Sequence, residues 1–157
     1  ALGSLTNLGE LDLSNNTLRG ILPAWRLPSL QVLDLSNNRF TGHLPPSLTN
    51  LSFFCMTNQT AKGEYGDSTT LTDNLPIVTK NNEFVLTYVQ NTRMVFDVSM
   101  NMLRGEIPES FGELRGLTGV NLSHNHFSDT IPEGSFDRLK NLEALGLSHN
   151  QLSGRIP

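Results

Sequence analysis

The sequence predicts a stacked solenoid, with a short parallel β-sheet on its concave face, 3-10 or irregular backbone on its convex side, and one non-repeat insertion. Three observations lead there. One phrase, first met as "LGELDLSNNTLRGILP", returns in five copies within 157 residues. The first half of every copy alternates apolar and polar residues. Between the second and third copies the wording stops for dozens of residues. Repetition at a period of 20–50 residues means units that bury their apolar faces only against one another.

The copies align on an asparagine: Asn16, Asn38, Asn101, Asn125 and Asn150, spaced by 22, 63, 24 and 25 residues. Two residues later comes a large apolar side chain, from Leu18 and Phe40 to Leu152. Four later comes glycine, with Asp129 the exception. Six and seven later come Leu or Ile and then Pro, ending at Ile156 and Pro157.

Each element follows from local chemistry. Leu11-Asp12-Leu13, Leu33-Asp34-Leu35, Phe96-Asp97-Val98, Val120-Asn121-Leu122 and Leu145-Gly146-Leu147 alternate with period two, so each reads as a short strand with one face buried. The turn after each strand leaves backbone groups inside the coil that need partners. An inward Asn carboxamide both donates and accepts, so the five asparagines form a structural ladder. Glycine then supplies positive φ, and the Pro starts the convex return. There Leu48, Leu51, Phe111, Leu114, Phe136 and Leu139 are expected as apolar plugs.

This phrase, LxxLxLSxNxLxGxIP, resembles the plant-type leucine-rich repeat of receptor-like proteins and receptor kinase ectodomains. The resemblance covers about residues 1–51 (two repeats) and 93–157 (three repeats), and implies an α/β-type leucine-rich-repeat solenoid. Secreted members usually carry cysteine pairs in terminal caps. Neither cap is visible here, so the chain reads as a fragment of a longer ectodomain.

The second spacing exceeds a 24-residue period by 39 residues, which places an insertion near 52–92. Within it "EFVLTYVQ" reads as a strand with Phe84, Leu86 and Tyr88 on one face. Phe53, Phe54 and Tyr65 are expected in a small satellite cluster. Plant receptors for steroids, sulfated peptides and microbial elicitors resemble this chain in carrying such an island. Theirs commonly ends in a Lys-led, Tyr-containing strand running into a repeat, here Lys80, Tyr88 and "FDVSMN", although Asn81 stands where glycine is often seen. The resemblance implies that island and concave strands hold the ligand together. The expected contacts are Phe84, Tyr88 and Gln90 on the insertion and Gln31, Asp34 and Asp97 on the strands.

Composition narrows the function. A net charge of −4 with no Lys/Arg run argues against nucleic acid. No apolar run approaches the roughly 18 residues of a membrane helix. Cys55 stands alone, so no intrachain disulfide is possible. No nucleophile elbow, paired-carboxylate setting or phosphate loop emerges, so neither an enzyme nor a cofactor is expected. Glycosylation sequons fall at Asn15, Asn50, Asn58 and Asn121, which favours an extracellular, cell-surface setting. Asn15 and Asn121 are read as strand positions, where a glycan would obstruct the concave face.

Two columns are expected on the concave face, one of Asp12, Asp34, Asp97, Asn121 and Gly146, the other of Ser14, Ser36, Ser99, Ser123 and Ser148. Polar residues there face water in this repeat class, though the carboxylates could meet a cationic or hydroxyl-rich ligand. His124 and His149 share one repeat position without a third ligand at suitable spacing, so no metal site is expected. The leading reading is therefore a receptor module. It binds a peptide, steroid or protein ligand and pairs with a co-receptor that itself carries leucine-rich repeats. The alternatives are a secreted inhibitor resembling polygalacturonase-inhibiting proteins and an ice-binding repeat protein.

Overall fold

The computed structural model describes residues 2–55, 75–79, 82–86 and 93–157. In chain order its strands are β1 (Glu10–Asp12), β2 (Arg19–Ile21), β3 (Val32–Asp34), β4 (Arg39–Gly42), β5 (Leu75–Thr79), β6 (Asn82–Leu86), β7 (Val95–Asp97), β8 (Met102–Gly105), β9 (Gly119–Asn121), β10 (His126–Phe127) and β11 (Ala144–Gly146). The concave sheet is parallel, in the order β1-β3-β7-β9-β11. Its register places Asp12 opposite Asp34, Asp34 opposite Asp97, Asp97 opposite Asn121 and Asn121 opposite Gly146. The 63-residue gap between Asn38 and Asn101 thus leaves no break in the sheet: β3 pairs directly with β7.

A second parallel sheet, β2-β4-β8-β10, flanks the first. The repeat phrase suggested only turns there. These short stretches nevertheless alternate: Phe40, Leu103 and Phe127 point into the core while Arg39, Thr41, Met102, Arg104 and His126 are exposed. β2, β4 and β8 each contain the repeat's glycine at positive φ, which reads as a turn in the sequence. β5 and β6 form an antiparallel pair with Ile77 opposite Phe84.

One core runs the length of the coils. Leu33, Phe96 and Val120 enter it from the concave strands, and Leu22, Leu44 and Ile107 from the chain before each proline. The convex plugs Leu48, Leu51, Phe111, Leu114 and Leu139 are buried as expected, and Phe136 packs against them partly exposed. Phe96 meets Phe111 edge-on at 5.9 Å. The plugs ride on 3-10 turns such as Pro46–Asn50 and Glu109–Glu113. Each starts where a proline fixes φ near −70°, and the carbonyls of Pro45 and Pro108 accept from the Leu48 and Phe111 amides at 3.1 and 2.9 Å. Phe54, expected in a satellite cluster, is instead fully buried in this core, on the 3-10 turn Ser52–Cys55. The reason is that the convex packing continues past the last recognisable repeat residue.

The asparagine ladder works in one direction. Asn101 Nδ2 donates to Val98 and Ser99 carbonyls of its own coil and to Leu35 of the coil before, at 3.0–3.1 Å. Its Oδ1 accepts from the Phe40 amide, also of the coil before, at 2.9 Å. Asn38, Asn125 and Asn150 repeat that arrangement. Asn16 keeps only the bonds to its own coil, with Leu13 and Ser14. The residue before each ladder asparagine is left-handed, including Met100 at φ 54°. At the glycine position Asp129 keeps the same geometry, with φ 67°, because a short polar side chain tolerates that region. Gly105 needs it twice over: its φ is 84°, and the His43 ring occupies the space a β-carbon would take.

Candidate functional site

The concave row is built of carboxylates that also serve the backbone. Asp12, Asp34 and Asp97 each accept, through Oδ1, the amide hydrogen of the serine two residues on, all at 2.8 Å. Short polar side chains close turns in this way. Asn121 accepts likewise from the Ser123 amide at 3.2 Å, and its Nδ2 donates to Asp97 Oδ2 at 3.1 Å. The serine column sits beyond the strands, and Ser36 and Ser99 are buried rather than displayed. At the end of the row Gly146 leaves room for the Asn121 carboxamide, whose Oδ1 lies where a β-carbon would stand.

Burial raises the proton affinity of Asp34 and Asp97. Burial pushes the Asp34 carboxyl up to about 6, and the neighbouring Asp97 and Asp12 charges add to it. Asp97 is 3% exposed and is also raised, chiefly by burial, with Ser99 and Asn121 opposing the shift. Glu10, on the row before, is raised by burial and by Asp12. Asp34 therefore takes up a proton as pH falls through about 6.

Of the residues singled out in the sequence, Asp34 and Asp97 stand opposite each other on β3 and β7, and Gln31 lies three residues before Asp34. Gln31 is half-buried; its amide donates to Gly9 O at 2.7 Å and its carbonyl accepts from the Val95 amide at 2.9 Å. It thus ties the first, second and third coils. Phe84 lies on β6, opposite Ile77. Tyr65, Lys80, Tyr88, Gln90 and the sequon at Asn58 lie outside the described residues.

Both ends of the non-repeat segment are held by the fourth coil. Phe54 O accepts from the Gly116 amide at 2.7 Å. On re-entry, the Met94 amide donates to Thr118 Oγ1 at 3.1 Å, and Met94 O accepts from the Thr118 amide at 2.9 Å. Thr118 is buried, and its clamp had no sequence signal beyond a threonine where other copies carry varied residues.

The remaining candidates settle as follows. Asn50 is exposed at the end of a 3-10 turn. Asn15 is exposed but lies in the left-handed turn after β1, not on the strand, because that turn is where Asn is best tolerated. Asn121 is on strand β9 with its amide committed to Asp97. The His124 and His149 rings stack at 4.0 Å, 14° from parallel. Among the described residues no three His, Cys, Asp or Glu side chains are grouped to hold a metal ion. No described helix is long and apolar enough to cross a membrane.

Two leucine-rich-repeat models match the chain, one over residues 7–25 and 29–51, the other over 94–152, together more than half of it. The chain belongs to the leucine-rich-repeat family. No curated protein matches its sequence. Among solved structures, this leucine-rich-repeat chain is similar to the Arabidopsis receptor kinase HAESA in complex with the peptide hormone IDA and the co-receptor SERK1. That match has 32% identity and a TM-score of 0.69, covering 99% of this chain and 20% of that one. It is similar to PEPR1 with AtPEP1 at 30% identity and TM-score 0.69, covering 99% and 17%. It is similar to the plant peptide hormone receptor RGFR1 with RGF2 at 26% and 0.68, covering 98% and 18%. The chain therefore spans about a fifth of the length of these receptors.

Proposed function

We propose that this chain is an extracellular ligand-recognition segment of a plant-type receptor. It takes a peptide, steroid or microbial elicitor between residues 52–92 and the concave sheet, and pairs with a co-receptor built of leucine-rich repeats. One observation carries the reading: the non-repeat segment rejoins the solenoid at Met94, at the head of β7, whose Asp97 stands opposite Asp34 on β3. A ligand lying there meets the Asp34 and Asp97 carboxylates, with Gln31 three residues before Asp34 as a further proposed contact. Phe84, Tyr88 and Gln90 are the proposed contacts from the other side, aromatics giving buried area and polar groups orientation. The complexes of the similar receptors with peptides support a peptide over the other classes.

The test is to pan a phage-displayed random peptide library on the chain and measure the enriched peptides against Asp34→Ala, Asp97→Asn and Tyr88→Ala variants. At least a tenfold loss of affinity is expected for each. Peptides that bind wild type and all three variants equally would place recognition elsewhere and overturn this site.

A further inference from the structure

The second sheet carries a surface that the concave reading does not use. Arg19 on β2 stands directly opposite Arg39 on β4, both exposed. On the next outward row Ile21 stands opposite Thr41, and Thr41 opposite Met102. Ile21 is 73% exposed and Met102 42%. One row further, Arg104 on β8 stands opposite His126 on β10, again both exposed. Like charges directly across a sheet destabilise it by several tenths of a kcal/mol. The ion pairs among the described residues, Arg115 and Arg138 with Glu113, lie on the convex side and leave all three arginines alone. The face thus sets Ile21, Thr41 and Met102 between the Arg19–Arg39 row and Arg104, in a molecule of net charge −4.

We propose that this lateral face docks an acidic, extended segment of a partner protein, with the pattern acid-x-apolar-x-acid. Arginine and methionine are enriched at protein interfaces, and an apolar centre with a charged rim is their usual anatomy. The arginine rows are four residues apart along the strands, about 13 Å at 3.3 Å per residue. In an extended chain, side chains four apart point the same way at that separation, with a third between them. Two carboxylates then meet Arg39 and Arg104, and the central apolar side chain covers Ile21 and Met102. Guanidinium favours this chemistry because its fork takes a carboxylate with two parallel hydrogen bonds. The proposal stands apart from the concave site and does not depend on it.

The experiment uses the chain labelled for NMR and a synthetic peptide bearing Glu-x-Leu-x-Glu. The expected result is shift changes confined to β2, β4 and β8 and an affinity that falls with salt. Binding should weaken at least tenfold in Arg39→Glu and about threefold in Ile21→Ser, while a Lys-x-Leu-x-Lys peptide fails to bind. Thermal melts that match wild type establish that both variants, changed only at exposed positions, remain folded. Equal binding to wild type and Arg39→Glu would overturn the proposal. So would shifts at these strands produced by polygalacturonate and by a Glu-x-Ser-x-Glu peptide as strongly, since any polyanion would then suffice. Concentration-dependent self-association that Arg39→Glu abolishes would also overturn it, by assigning the face to a second copy of the chain.

Discussion

The two sheets of this solenoid stack like charges in opposite ways. On the concave side each aspartate closes a turn by accepting a serine amide, and Asp34 at the centre has its proton affinity raised by burial and by its neighbours. On the lateral side Arg19, Arg39 and Arg104 serve no backbone group and have no carboxylate partner among the described residues. Repetition alone lines up identical side chains, so a charged column is not by itself a sign of a ligand. What distinguishes the two is whether the charge has a structural job. The aspartates have one, and the arginines have none.

The largest effect should come from the ladder on which both sheets hang. Asn101→Ala removes four hydrogen bonds and leaves a buried amide and buried carbonyls unpaired, at a cost of about 3 kcal/mol. Asn16→Ala, with no bond to another coil, should cost under about 1 kcal/mol. Chemical denaturation of both variants checks this, and equal losses would mean the ladder is not what joins the coils. Next, Asp97→Ala strands the Ser99 amide and the Asn121 carboxamide and should cost about 2 kcal/mol, whereas Asp97→Asn keeps an acceptor for Ser99 and should cost much less. If the two variants were equally destabilised, the charge and not the turn would be the role of the residue.

A smaller effect is the pH dependence. Asp34 binds its proton more tightly folded than unfolded, so its contribution to stability is complete below about pH 4 and is lost as pH rises through about 6. Because the residue is only half-buried, about 1 kcal/mol is expected. Asp34→Asn should therefore match wild type at pH 4 and exceed it by about that amount at pH 7.5. A constant difference across that range in urea titrations would show that Asp34 does not titrate as described. The smallest effect belongs to the lateral sheet: Arg39→Gln should shift stability by no more than about 0.5 kcal/mol. A larger loss would give the arginine a structural job and erase the contrast.

Most of the frame was legible in the sequence, for a physical reason. The ladder asparagines, the strand alternation and the proline-started turns answer backbone needs that recur in every coil, so they repeat as text. Asp34 and Asp97 were legible as neighbours because the register follows from the repeat. The lateral sheet was not legible, since the glycine inside β2, β4 and β8 reads as a turn and their outward residues vary from copy to copy. Phe54 and the Thr118 clamp were hidden too. Each answers a need that arises once, where the repeat is interrupted.

The direct pairing of β3 with β7 has a consequence for how the chain folds. Every other stacking step closes a loop of 22 to 25 residues, but this one must close 63. Loop-closure entropy scales with the logarithm of length, so the extra cost is about 0.9 kcal/mol, charged before any contact across that seam forms. The three coils after the interruption stack through short loops alone and should condense first. Their exposed β7 edge, already carrying Asn101 with its free reach toward the coil before, is then the template on which the first two coils are laid down.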